Sequence, residues 1–230
     1  RTTSRRLFHR NWWKPRPLDG VVGFILLAWY FVGANTSDDG YLLTMAKVSH
    51  ESGYMANYYR WFGVPESPFG SPFYDLLALM TQISSASIWM RLPSLIAGIV
   101  TWLVLSREVM PRLGAKINQR QVAHWTMAAT FLLFWMTFNN GTRPEPIIAV
   151  LSLLAWVSFE RAIATHRLLP AAVGTIIATL ALGAGPTGLM AVSALLASLG
   201  ALIRILTRRL PLLGAPKGAP KKTVIAAILA

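Results

Sequence analysis

Cysteine is absent from this sequence, and charged residues are scarce. None of the 230 residues is cysteine, so disulfides and thiolate metal sites are excluded, and the four histidines are scattered without the spacing of metal ligands. Only 13% of the residues are charged, whereas 54% are hydrophobic. This composition excludes a soluble globular domain, and it predicts an all-α polytopic membrane protein.

Long hydrophobic runs predict the membrane spans. A helix needs about 20 apolar residues to cross the hydrocarbon core. Runs near or above that length cover residues 18–34, 88–109, 122–138, 147–163 and 169–203. A glycine–proline break at 183–188 divides the last run into two short spans, so about six spans are expected.

Acidic residues are few, and the basic residues lie almost wholly on one set of loops. Eighteen of the 22 basic residues fall in residues 1–18, 106–120, 160–167 and 204–222. The alternate loops hold six of the nine acidic residues. The positive-inside rule therefore places the basic set in the cytoplasm and the acidic set outside. Because topology explains the positive charge, we expect membrane lipids and no nucleic acid as partners.

These patterns divide the chain into a cytoplasmic basic segment at 1–17, a transmembrane core at 18–203, a basic cytoplasmic linker at 204–222, and the start of a truncated further span at 223–230. We therefore expect the chain to be part of a longer protein. Within the core, the outer loop at 35–87 is rich in aromatic residues, which favour the membrane–water interface. Short juxtamembrane helices are predicted at 39–49 and 73–83.

Two adjacent carboxylates, Asp38 and Asp39, follow the first span. One interpretation is an N-cap, in which Ser37 or Asp38 caps a helix that begins near Gly40. The other is a catalytic pair, which the acids of the following loop favour. Among these, Glu66 stands between two prolines that restrain its orientation.

A second outer cluster lies at residues 139–146 and contains Arg143. Its Asn-Gly pair is typical of a turn between two spans, with the arginine reaching toward lipid phosphates. Alternatively, the guanidinium binds the phosphate of a lipid-linked substrate, which its charge and planar donors suit. Both interpretations remain open from the residues alone.

Four stretches together carry a resemblance to a known family. They read SDDGY at 37–41, GYMANYYRWFG at 53–63, WMRLPS at 89–94 and FNNGTRPE at 138–145. The sequence resembles the Emb arabinofuranosyltransferases of mycobacteria and corynebacteria, the targets of ethambutol, from about residue 12 to residue 210. The broader pattern is similar to the GT-C superfamily of polyprenyl-phosphate-sugar transferases. The resemblance implies that residues 18–203 are the N-terminal portion of a GT-C transmembrane glycosyltransferase core.

The resemblance implies an inverting transfer of arabinose from decaprenylphosphoryl-arabinose to cell-wall arabinan, in arabinogalactan or lipoarabinomannan. The reaction would take place on the outer, periplasmic face of the plasma membrane, with an arabinan or galactan acceptor. A homodimer, or a heterodimer with a paralogue, is consistent with this family. The alternatives are another GT-C polyprenyl-phosphate-sugar transferase, or a non-catalytic subunit that binds or transports a lipid-linked sugar.

The resemblance also assigns site residues. Asp38 is implied as the catalytic base, with Asp39 beside it in the catalytic pair. Glu66 is implied as a carboxylate of the substrate site. The residues implied to line or support the site are Tyr41, Met45, Asn57, Tyr58 and Glu145. Because a departing polyprenyl phosphate needs positive charge, we expect Arg143, and next Arg60, to bind it. The residues leave open whether a divalent cation bridges the aspartates and the phosphate.

Overall fold

The structure is a computed structural model that describes residues 10–53, 56–57, 64–65 and 72–213. This part of the chain is helical, apart from an antiparallel pairing of Ala56–Asn57 (β1) with Val64–Pro65 (β2). The α-helices are α1 (Pro17–Val32), α2 (Ser37–Ser52), α3 (Pro72–Ile83), α4 (Ser87–Met90), α5 (Leu92–Val104), α6 (Met110–Arg112), α7 (Ala115–Asn118), α8 (Gln121–Phe138), α9 (Glu145–Thr165), α10 (Leu168–Ala184) and α11 (Leu189–Leu213). Short 3₁₀ turns occupy Arg10–Trp13 and Pro186–Gly188, and a π-helical turn, Leu105–Val109, joins α5 to α6.

The long helices coincide with the predicted hydrophobic runs. Three helical segments in the described chain are long and apolar enough to cross a membrane: Ser87–Arg112, Glu145–Thr165 and Pro186–Arg208. Helices α1 and α10 are apolar but shorter. The predicted break in the last run is confirmed, because α10 ends at Ala184 and α11 follows the 3₁₀ turn. Large apolar side chains such as Phe24, Leu133 and Met190 are exposed, as expected for surfaces that contact lipid. The chain is a membrane protein.

Helix α9 lies at the centre of the bundle, where it packs against α5, α10 and α11. Small residues allow α9 to pack closely against α10 and α11. A Cβ atom at Gly174 of α10 would lie 2.7 Å from the ring of Phe159 on α9. The other buried residues of this cluster are Ala155, Ala178, Ala181 and Ala191. A second cluster joins α1, α5, α8 and α9 around larger aromatic side chains. Packing therefore fixes the start of α9, which carries part of the candidate site.

Helices α2 and α3 form a separate outer layer. Met45, Leu77 and Met90 are fully or almost fully buried between α2, α3 and α4. The Tyr74 hydroxyl donates to the carbonyl oxygen of Ala184 at 2.8 Å, which joins α3 to the end of α10. The predicted juxtamembrane helices at 39–49 and 73–83 are therefore confirmed, although the first begins two residues earlier than expected.

Candidate functional site

The acidic pair lies in the first turn of α2. The N-cap residue is Thr36, and Asp39 occupies the third helical position. The Asp39 carboxylate accepts the backbone N–H of Thr36 at 2.6 Å and its hydroxyl at 3.1 Å, as in a capping box. The predicted cap at Ser37 or Asp38 was wrong in register. The carboxylate that faces back toward the cap is that of Asp39, because a side chain at the third position reaches the free N–H groups.

Asp39 also binds the loop that precedes α9, within the polar segment at residues 139–146. Its Oδ1 accepts the backbone N–H of Thr142 at 2.6 Å, and the Thr142 hydroxyl donates to the Asp39 carbonyl oxygen at 3.1 Å. The residue is only 6% exposed. A Cβ atom at Gly141 would lie 1.8 Å from Oδ1, so a residue without a side chain is required there. One carboxylate therefore joins the start of α2 to the loop before α9.

An ion cluster lies beside this junction and consists of Asp38, Arg143 and Glu145. We call these three residues the outer cluster. Arg143 lies 3.4 Å from Oδ2 of Asp38. It donates to both oxygens of Glu145, from Nε at 3.1 Å and from the terminal nitrogen at 2.6 Å. The hydrogen bonds to Glu145 are the largest cause of the raised pKa of Arg143, so the guanidinium stays charged. The Asp38 side chain is 43% exposed and can reach a substrate.

Two residues that sequence analysis did not assign to the site hold its frame. The Ser94 hydroxyl donates to the carbonyl oxygen of Gly141 at 2.5 Å. Buried Arg91 donates from Nε to Asn35 Oδ1 at 2.9 Å and from NH1 to the Tyr30 carbonyl oxygen at 3.0 Å. The available signal was the RLPS sequence at the start of α5, in which the arginine and the serine are the two polar residues.

Of the other predicted site residues, three lie within the described part of the chain and three lie outside it. Met45 is completely buried in the outer layer and Tyr41 packs against the same cluster, so both support the start of α2 from behind. Asn57 belongs to β1. Glu66, Tyr58 and Arg60 lie outside the described residues, so their assignment remains a prediction.

The hydrogen-bond donors around Asp39 show whether a divalent cation could bridge Asp38 and Asp39. Within the described ranges, no group of three or more His, Cys, Asp or Glu side chains could hold a metal ion. Both Asp39 oxygens accept hydrogen bonds from Thr36 or Thr142. A cation that bridged Asp38 and Asp39 would have to replace at least one of these donors, so the residues fit such a cation poorly.

An apolar groove of about 580 Å³ lies among α3, α4, α5 and α9. Its lining is almost entirely hydrocarbon and includes Leu76, Leu79, Trp89, Leu92, Ile96 and Ile147. The groove is close to the outer cluster along the chain, because Ile147 follows Glu145 by two residues. Sequence analysis did not identify this groove, since its lining residues read only as parts of hydrophobic runs.

Comparisons with known proteins identify the family of the chain. The family model described as "Mycobacterial cell wall arabinan synthesis protein" matches residues 1–230. "Probable arabinosyltransferase C" of Mycolicibacterium smegmatis is 59% identical over 198 residues, which cover 86% of this chain and 18% of that protein. "Probable arabinosyltransferase B" of Mycobacterium tuberculosis is 53% identical over 210 residues, 91% of this chain and 19% of that protein.

A solved structure has the same fold. The cryo-EM structure of arabinosyltransferase EmbB from Mycobacterium smegmatis matches with a TM-score of 0.86 and 48% sequence identity, over 97% of this chain and 21% of that one. The chain thus spans about a fifth of the length of these relatives. On the full-length match to the family model and this degree of identity, the chain belongs to the family of mycobacterial cell wall arabinan synthesis proteins.

Proposed function

We propose that this chain supplies the base and the phosphate-binding group of an arabinosyltransferase that uses a polyprenyl-phosphate donor. The observation that carries the proposal is the outer cluster, in which an accessible carboxylate, Asp38, stands 3.4 Å from a charged guanidinium. An apolar groove includes Ile147, two residues after Glu145 of this cluster. Arabinosyltransferase activity is named for relatives that are 53–59% identical over most of the chain. The donor is decaprenylphosphoryl-arabinose, and the acceptor is a cell-wall arabinan.

The reaction needs few groups, because a polyprenyl phosphate is already a good leaving group. The acceptor hydroxyl oxygen attacks the anomeric carbon, and Asp38 accepts its proton as the new C–O bond forms. The bond from the anomeric carbon to the phosphate oxygen breaks on the opposite face, and the phosphate leaves with the electron pair. Arg143 stabilises the negative charge on that phosphate. Attack from the opposite face inverts the anomeric centre.

Arg143 exchanges one of its two partners in this scheme: the donor phosphate replaces Asp38, and Glu145 stays bound. Its two hydrogen bonds to Glu145 are shorter than its single contact of 3.4 Å with Asp38. A donor phosphate therefore displaces Asp38 from the guanidinium more readily than it displaces Glu145. Glu145 keeps Arg143 in place, and Asp38 becomes free to accept a proton when the donor is bound.

The apolar groove takes the polyprenyl chain of the donor. A long isoprenoid already lies in the hydrocarbon of the bilayer, so the groove binds it by close packing and directs it to the reacting phosphate. The groove offers an apolar surface on α3 and α5, and it reaches α9 at Ile147, two residues after Glu145. We propose that the site lies at the outer membrane surface, because the loops that carry it have few basic residues.

The test is arabinosyl transfer by the full-length protein in membranes, with decaprenylphosphoryl-arabinose as donor and a short arabinan as acceptor. Asp38→Asn should reduce turnover by about two to four orders of magnitude per folded protein, because the amide cannot accept the proton. Asp75→Asn is the matched control, since Asp75 is an exposed acid of α3 outside the outer cluster.

Three results would contradict the proposal. Asp38→Asn activity within a factor of about three of wild type would show that Asp38 only supports the helix start. Transfer of a different sugar would indicate another transferase of the superfamily. Donor binding without any transfer by the wild-type protein would indicate a subunit that binds or transports the lipid-linked sugar.

A further inference from the structure

We infer that Asp39 is a positioning residue that sets the distance between the base Asp38 and the phosphate-binding Arg143, and that it takes no direct part in the chemistry. This inference rests on the proposed function. It differs from the assignment of Asp39 to a catalytic pair. The observation behind it is that one buried carboxylate accepts hydrogen bonds both from Thr36, the cap of its own helix, and from Thr142, which is 103 residues away from it in sequence.

Both oxygens of Asp39 are already engaged. Oδ2 accepts the Thr36 N–H at 2.6 Å, and Oδ1 accepts the Thr142 N–H at 2.6 Å. The side chain is buried, in contrast to the exposed Asp38. The Thr36 and Thr142 hydroxyls also donate, one to each oxygen, so an acceptor sugar could bind Asp39 only by displacing one of four donors, and an unpaired buried donor is unfavourable. Asp39 therefore lacks the free, accessible oxygen that a general base needs.

The bridge controls the reacting groups because each lies next to a bridged residue. Asp38 directly precedes Asp39 in α2, and Arg143 directly follows Thr142 in the loop. Any change in the distance between α2 and the loop therefore changes the distance between the base and the guanidinium. Displacements of about 1 Å are enough to reduce rates about a hundredfold.

The loop is held from its other side as well. Ser94 of α5 donates to the carbonyl oxygen of Gly141, next to the residue that Asp39 holds. Gly141 has no side chain where a Cβ atom would strike the carboxylate. The loop is thus held by α5 on one side and by α2 on the other. The contact with α2, which carries the base Asp38, is the Asp39 bridge.

An aspartate is required for this bridge, because an asparagine has only one accepting oxygen. Its amide nitrogen would face the N–H of either Thr36 or Thr142, and two donors cannot pair. In Asp39→Asn we therefore expect the loop to separate from α2. Turnover should fall about a hundredfold and the KM for the donor should rise several-fold, because Arg143 no longer lies beside the base.

The dependence of kcat/KM on pH separates positioning from chemistry. In Asp39→Asn the acid limb of the profile should persist, because Asp38 still accepts the proton. In Asp38→Asn that limb should disappear, while the donor KM changes little. Loss of the acid limb in Asp39→Asn, or a loss of turnover as large as that of Asp38→Asn with an unchanged donor KM, would overturn the inference.

Two threonine variants provide a matched pair on the same carboxylate. Thr142→Ala removes the hydroxyl that donates to Asp39 Oδ1 at 3.3 Å and to the Asp39 carbonyl oxygen at 3.1 Å, whereas Thr36→Ala removes the hydroxyl that donates to Oδ2 at 3.1 Å. Only Thr142→Ala should raise the donor KM, and Thr142→Ser should restore it. The double variant of Asp39→Asn with Thr142→Ala should be no worse than Asp39→Asn alone, because in Asp39→Asn the loop has already separated from α2 and the Thr142 hydroxyl no longer contacts Asp39. Equal kinetic effects of Thr36→Ala and Thr142→Ala, or additive effects in the double variant, would contradict the bridge.

Hydrogen exchange at the Thr142 amide tests the bridge without any activity measurement. Exchange should accelerate in Asp39→Asn and stay at the wild-type rate in Asp38→Asn. If the wild-type protein shows no transfer, the proposed function fails while this comparison still decides the bridge. Unchanged exchange in Asp39→Asn, or accelerated exchange with wild-type kinetics, would overturn the inference.

Discussion

Two clusters of charged side chains lie at opposite ends of the helices, and they differ in how completely their charges are paired. The inner cluster joins Asp19, at the start of α1, to Arg107 in the π-helical turn, and the Arg107 side chain is only 4% exposed. Arg107 also donates to the carbonyl oxygens of Trp12 and Lys14, and Trp102 donates to Asp19 at 2.9 Å. The described donors and acceptors of this cluster thus satisfy one another.

The outer cluster is open, and among the described residues a single guanidinium is paired with its two carboxylates. The side chains of Arg143, Glu145 and Asp38 are 23%, 30% and 43% exposed. A burial difference of this kind separates ion pairs that hold a fold from those that can exchange partners. The inner cluster therefore fixes the N-terminal segment to the helices, and the outer one can bind a substrate.

The largest expected effect comes from breaking the inner cluster. Arg107→Ala leaves the partly buried Asp19 carboxylate, 15% exposed, without its main partner, and this should reduce stability by about 1–3 kcal/mol, less than for a fully buried pair. We expect less folded protein and a lower melting temperature in detergent. Arg112→Ala is the control, because Arg112 pairs with Glu108 in a more exposed position and should cost at most about 1 kcal/mol. Similar melting temperatures for the two variants would show that burial does not distinguish these pairs.

Breaking the outer cluster should change stability little and donor binding strongly, the opposite of the effect expected for the inner cluster. Arg143→Ala should change stability by less than about 1 kcal/mol, because the pair is partly exposed. The donor KM should rise about tenfold to a hundredfold, the loss expected for one charge-assisted phosphate contact. Arg143→Lys should recover only part of this, since an ammonium ion cannot bind Glu145 and a phosphate through a planar fork. A donor KM unchanged in Arg143→Ala would remove Arg143 from the donor site.

The sequence predicts one part of this comparison better than the other. Hydrophobic runs predict the long helices and the break after Ala184, because both depend on local composition. The same reasoning finds Asp38, Asp39 and Arg143 as candidates, since each lies in a polar segment between spans. It does not reveal that Asp39 binds Thr142 or that Arg107 binds Asp19. Those contacts join residues 103 and 88 positions apart, and no local periodicity reports them.

Which cluster faces the outside is the last point to test, with substitutions that should leave activity unchanged. From the distribution of basic residues we expect Glu51, at the end of α2, to face the periplasm and Lys116, in α7, to face the cytoplasm. Both are exposed, whereas Thr142 in the outer loop is buried and would report poorly. This segment contains no cysteine, so Glu51→Cys or Lys116→Cys can be introduced singly into a full-length background freed of other cysteines. A thiol reagent that cannot cross membranes should label the first in intact spheroplasts and the second only after lysis. Labelling of Lys116→Cys before lysis would place the outer cluster in the cytoplasm and exclude a donor site on the outer face.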